Sequence, residues 1–234
     1  MSDELADRRP LTSRSSAWAQ RLSRKLAATD ITPNQISMAS MVAAALAFGV
    51  LICSGHLHSN VLVAACYLLA ALLCQLRLVC NLMDGMVAIE AGKQTADGAF
   101  WNEQPDRVAD ALILVGLGIA AGSLALGWAA AALAISTAYV RELGKGIDGV
   151  VDFSGPMAKP HRMALVTGAL IGAALLSLVF STEAPGSESI DSSGGFFDSG
   201  LVIAVLELSL WLLCAGCAVT VYRRCQRLLK RLQD

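Results

Sequence analysis

Apolar residues come in blocks about 16–22 residues long in this chain, and that pattern decides the fold class. About 20 residues of helix cross a hydrocarbon core roughly 30 Å thick. Composition agrees: 55% of residues are apolar and 16% charged, against soluble averages of roughly 45–50% and 25%. The chain reads as an all-α integral membrane protein. Nothing points to nucleic acid as a partner.

Six transmembrane helices are predicted, over about 35–53, 61–76, 105–125, 128–143, 163–180 and 201–222. Residues 1–15 are polar and read as disordered. Over 16–28, Trp18, Leu22 and Leu26 recur at helical spacing with Arg21, Arg24 and Lys25 on other faces, which predicts an amphipathic helix at the membrane interface. The expected organisation is an N-terminal arm over 1–30 and a six-helix transmembrane domain over 31–234. Pro33 and Pro105 are placed in first helical turns, and 181–200 reads as a flexible acidic loop. No cleaved signal peptide is expected, since residues 1–30 lack a short apolar core.

All 18 lysines and arginines fall in the N-terminal arm, the 2–3 and 4–5 connections with their flanking helix ends, or the C-terminal tail. The positive-inside rule then puts both termini, and the polar ends of helices two to five, on the cytoplasmic face. The seven cysteines, including the Cys214-x-x-Cys217 pair, read as small apolar packing residues with no disulfide or zinc. Gly118-x3-Gly122 and Gly168-x3-Gly172 have the spacing that lets membrane helices approach closely. Trp101, Trp128 and Trp211 read as interfacial or packing aromatics, and His161 as a loop residue.

The stretch Asn81–Asp110 carries the chemistry. Arg77, Asn81, Asp84 and Ala88 fall on one stripe of the second helix, and Asp106 and Asp110 share a face of the third. Acids at the mouths of membrane helices are costly and mark functional sites. Asn81, Asp84, Asp106 and Asp110 supply hard oxygen donors, a set suited to Mg²⁺, Mn²⁺ or Ca²⁺. Without a cation, carboxylates so close repel one another. Gly85 would let a bulky ligand approach the backbone. The competing structural reading pairs Asp84 with Arg77 or Arg107 and treats Asp106 as a helix-start charge.

Asn81-x2-Asp84-Gly85-x2-Ala88-Ile89-x12-Asn102-x3-Asp106-x3-Asp110 resembles the CDP-alcohol phosphotransferase signature, Asp-x2-Asp-Gly-x2-Ala-Arg-x8–12-Gly-x3-Asp-x3-Asp. Thr32-Pro33-Asn34 is similar to the family's entry into its first membrane helix. The resemblance implies transfer of a phosphatidyl group from a CDP-linked lipid, typically CDP-diacylglycerol, to a small polar alcohol, phosphorylated or not, with release of CMP. It implies that Asp84, Asp106 and Asp110 hold one or two Mg²⁺ or Mn²⁺ ions with Asn81, and that Asp110 is the general base. It implies that Gly85, Ala88 and Asn102 line the CDP pocket, and that the protein is a homodimer. The chain departs from the signature at Asn81, Ile89 and Asn102, which stand where it has aspartate, arginine and glycine.

Arg141, Lys159 and Arg162 flank the 4–5 connection, near Lys145 and His161, and are candidates to hold an acceptor phosphate; the alternative is that they only mark the cytoplasmic interface. Two other functions compete. One is a catalytically silent homologue that binds nucleotide-lipid or metal. The other is a divalent-cation transporter, which the one-sided placement of the acids counts against.

Overall fold

The computed structural model describes residues 16–90, 92–93, 95–180 and 194–233. Among them are seven helices and no strand: α1 (Ala17–Ala27), α2 (Pro33–Ser54), α3 (Asn60–Glu90), α4 (Gly98–Ala120), α5 (Leu124–Asp148), α6 (Lys159–Val179) and α7 (Gly194–Arg231). The disordered arm expected over 1–15 lies outside the described residues. So does most of the acidic loop expected over 181–200, whose last residues, 194–200, are helical.

Among the described residues, five helices are long and apolar enough to cross a membrane: α2, α3, α5, α6 and the Gly200–Arg231 part of α7. Of the six expected spans the exception is α4, because Glu103, Asp106, Arg107 and Asp110 interrupt it. The molecule is all-helical and has the make-up of a multi-pass integral membrane protein. Its outer surface carries large apolar side chains such as Leu46, Leu72, Leu175, Leu208 and Trp211, while Arg77, Asp110 and Arg162 are buried. That inversion suits a chain whose solvent is lipid.

Local chemistry sets the helix ends. Thr32 caps α2 with a full capping box: its hydroxyl accepts from the Gln35 amide at 3.2 Å, and its own amide donates to Gln35 Oε1 at 3.0 Å. Pro33 follows in the first turn, where its missing N–H costs nothing. Pro105 is different. It lies inside α4, because the helix begins at Gly98, where the Trp101 indole donates to Asp97 at 2.9 Å. Asp106 and Asp110 are therefore not in the first turn, and the helix dipole, which fades within one turn, does little for them. The helix also ends earlier than expected, at Ala120. Gly122 adopts φ +68°, and the Ser123 amide turns back to the Gly118 carbonyl at 2.8 Å, a glycine-dependent stop.

The long helices close a ring in the order α3, α2, α4, α5, α7, α6 and back to α3. Leu51, Ile113, Leu117, Leu170, Leu206 and Leu213 fill the interior. Outside the ring, α1 docks on α3. Its Ala19, Leu22 and Leu26 pack with Ile36, Met83, Met86 and Val87, while Trp18 stays exposed. Part of the apolar face expected to meet lipid is thus spent on protein.

Candidate active site

Three- and four-residue spacing on α3 aims Arg77, Asn81 and Asp84 into the ring, and four-residue spacing on α4 brings Asp106 and Asp110 to meet them. The start of α6 adds Lys159 and Arg162. Ser37 of α2 and Thr137 of α5 complete the cluster.

Each carboxylate is met from within the chain. Asp84 accepts from the Ser37 hydroxyl at 2.7 Å and from the Gly85 amide at 2.5 Å. Asp106 Oδ1 accepts from Asn81 Nδ2 at 2.5 Å and lies 3.4 Å from Arg77 Nη2, while Oδ2 pairs with Lys159. Asp110 sits between two guanidiniums, with Arg77 Nη2 2.7 Å from Oδ1 and Arg162 Nη2 2.6 Å from Oδ2. Arg162 also donates to Thr137 Oγ1 at 3.0 Å and to the Met157 carbonyl at 3.2 Å. Three acids thus face three cations. Exposure differs sharply among them: the side chains of Arg77 and Arg162 are 0% and 2% exposed, that of Lys159 25%.

The structure brings Asn81 to Asp106 and puts Asp106 and Asp110 on one arginine, while Asp84 bonds to Ser37 and the Gly85 amide; the competing pairings do not form. Arg77 binds Asp106 and Asp110 rather than Asp84, and Arg107 binds Glu103. Gly85 has open space beside it, since a Cβ there would meet nothing within 4 Å; Ala88 is half-buried and Asn102 exposed. The three acceptor candidates are shared out among separate acids. Arg141 goes to Glu103 at 2.6 Å and Glu142 at 2.8 Å, and lies over the Phe153 ring. Lys159 and Arg162 go to Asp106 and Asp110.

Among the described residues no three acidic, histidine or cysteine side chains converge on one point as an ion cage. The donor set nevertheless fits one hard divalent ion. Lys159 is partly exposed on a flexible stem and can leave Asp106, and Asn81 can turn its amide oxygen inward. Asp110, held by two buried arginines, has no such freedom. Sequence reasoning placed Arg77 on the right stripe without finding its partners, and gave no signal for Ser37.

Fold and site define a helical membrane bundle with a charge-balanced acid cluster sealed inside it. No protein-family model matches the chain. The inner membrane protein YnbA of Escherichia coli (strain K12) is 32% identical over 139 residues, which span 59% of this chain and 65% of that protein. Two crystal structures of phosphatidylinositol phosphate synthase from Mycobacterium tuberculosis share the fold at 16% identity. The one with CDP-DAG bound covers 91% of this chain and 94% of its own, with a TM-score of 0.67. The one with manganese and citrate covers 90% and 88%, with a TM-score of 0.64. That synthase is a CDP-alcohol phosphotransferase, so the resemblance read from Asn81–Asp110 is borne out at the level of fold.

Proposed function

We propose that this chain is a divergent CDP-alcohol phosphotransferase, moving a phosphatidyl group from a CDP-diacylglycerol-type lipid to a hydroxyl acceptor in phospholipid biosynthesis. One observation carries the reading: Asp84 of α3 and Asp106 and Asp110 of α4 are all buried, the last two sharing Arg77, within a bundle that shares its fold with an enzyme solved with CDP-DAG bound. In this reading α4 is a sixth span, α1 lies at the membrane interface, the termini and the cluster face the cytoplasm, and the protein is a homodimer. The fold likeness favours transfer over divalent-cation transport.

The acceptor hydroxyl attacks the lipid-side phosphorus. A new P–O bond forms, the bond to CMP breaks, and Asp110 takes the hydroxyl proton. Both Asp110 oxygens accept from arginine, but each carboxylate oxygen keeps a second lone pair. A bound Mg²⁺ or Mn²⁺ supplies charge neutralisation at the pyrophosphate. Asn81, Asp84 and Asp106 would hold that ion, with Ser37 fixing the Asp84 carboxylate. Gly85, Ala88 and Asn102 border the CDP moiety. Arg141, Lys159 and Arg162 are already paired, so a neutral polar alcohol fits with less rearrangement than a phosphorylated one.

The burial of Asp110 between two arginines favours a second reading, a homologue that binds nucleotide-lipid without turnover. Purified protein with labelled CDP-diacylglycerol, Mn²⁺ or Mg²⁺ and a panel of neutral and phosphorylated alcohols separates the two. Transfer predicts CMP release that Asp110→Asn abolishes. Donor-dependent thermal stabilisation with no CMP under any acceptor establishes the silent binder instead.

A further inference from the structure

The signature that Asn81–Asp110 resembles contains no cation four residues before its first position, and the proposed reaction gives Arg77 no task. Yet Arg77 is, with Arg162, one of the two largest fully buried side chains among the described residues. Its Nη2 lies 2.7 Å from Asp110 Oδ1, 3.4 Å from Asp106 Oδ1 and 3.2 Å from the Asp106 carbonyl. The guanidinium therefore sits between the two α4 carboxylates and supplies positive charge to both. Its Nε and Nη1 have no hydrogen-bond partner, so a full set of hydrogen bonds does not explain its position. What remains is its charge against two acids in a medium of low dielectric.

We infer that Arg77 replaces a second divalent cation, so that this chain binds a single Mn²⁺ or Mg²⁺, on Asn81, Asp84 and Asp106. The charge balance supports this. Asparagine in place of aspartate at 81 removes one negative charge, and arginine at 77 adds one positive; together they supply the charge of one divalent ion. Access agrees. An ion approaching Asp106 Oδ2 displaces only Lys159, which is 25% exposed. An ion approaching Asp110 must evict Arg77 and Arg162, which are sealed in the interior. With three carboxylates, two buried arginines, Lys159 and one ion, the net charge is about +2, which a donor pyrophosphate offsets. A second ion would raise it to about +4 and set the metals against the guanidiniums.

The inference rests on the phosphatidyltransfer reading for its metal and donor. It is tested by counting Mn²⁺ on the purified full-length protein, by equilibrium dialysis and electron paramagnetic resonance, with and without CDP-diacylglycerol. The expected result is one Mn²⁺ per chain with the spectrum of an isolated ion. The Arg77→Leu/Asn81→Asp double variant should bind two, with an exchange-coupled spectrum. Two ions on the wild-type chain overturn the inference and leave the transfer reading standing. No ion, even with donor present, overturns both the inference and the metal dependence of that reading. A folded double variant that still binds one ion removes Arg77 from the explanation; if that variant does not fold, the wild-type count decides.

Discussion

Arg77 and Asp110 meet at 2.7 Å across the join of α3 and α4, and neither side chain is more than 1% exposed. Each stabilises the charged form of the other where water cannot. Removing one member of a buried ion pair costs about 3–5 kcal/mol, because the remaining charge stays buried. Arg77→Leu is therefore expected to lower the thermal unfolding midpoint in detergent markedly, and Arg77→Lys, which keeps the charge, to lower it less. Equal midpoints for wild type and Arg77→Leu would show that Arg162 alone suffices for Asp110.

Ser37 is a smaller version of the same dependence. Its hydroxyl donates to Asp84 Oδ2 at 2.7 Å with both residues buried, and losing such a bond costs about 1–3 kcal/mol. Ser37→Ala should weaken Mn²⁺ binding by about tenfold, the equivalent of 1.4 kcal/mol, because Asp84 is then free to turn from the ion. Ser37→Thr keeps the hydroxyl and should recover most of the affinity. Equilibrium dialysis of both variants measures this, and an unaffected Ser37→Ala would take Ser37 out of the site.

How much of this was legible beforehand depends on range in sequence. The apolar blocks located α2, α6 and the start of α3 closely, because lipid imposes a length and leaves few alternatives; α3 runs on to Glu90, past its apolar block. Thr32 and Pro33 marked the start of α2 by local chemistry. At α4 the same proline rule failed: the Asp97–Trp101 contact starts the helix seven residues before Pro105, and a short-range statistical preference cannot register that. The acids were legible because they are expensive in a membrane. Their neutralisation was not. Arg77 finds Asp110 33 residues away, and Lys159 finds Asp106 53 residues away. These pairings depend on how the helices are arranged in the ring, which periodicity does not encode.

A pH dependence is expected at the 149–158 connection, outside the helices. Partial burial pushes the Asp152 carboxyl up, but the Ser154 hydroxyl and amide, with Arg227 and Arg224, outweigh it and hold it below its ordinary range. A carboxyl lowered in the folded state adds stability above its unfolded pKa, and that stability is lost as pH falls through the folded value. Wild type should therefore exceed Asp152→Asn in unfolding midpoint at neutral pH, and the gap should close as pH drops below the usual carboxylate range. A gap that is constant down to strong acid would assign the effect to the shape of the Ser154 turn instead of to charge.

The paired glycines yield the last prediction, and it bears on oligomeric state. A Cβ on Gly118 would lie 2.5 Å from Gly127 Cα, 2.8 Å from its nitrogen and 2.9 Å from the Ser123 carbonyl oxygen. All three are backbone atoms, so no flexible side chain can yield. Gly118 therefore serves packing within the chain, of α4 on α5, and its sequence partner Gly122 serves the turn. Overpacking of this kind costs about 1–3 kcal/mol, and Gly118→Ala should lower the unfolding midpoint accordingly. It should also reduce CMP release, since Asp110 lies on the same helix about 12 Å away along the axis. Gly168 has nothing within 4 Å of the built Cβ. Within one chain, Gly168→Ala should be neutral or stabilising by about 0.5–1 kcal/mol. If Gly168→Ala instead lowers stability, and does so together with a shift from dimer to monomer in size-exclusion chromatography with light scattering, the open face of α6 is where a second copy packs.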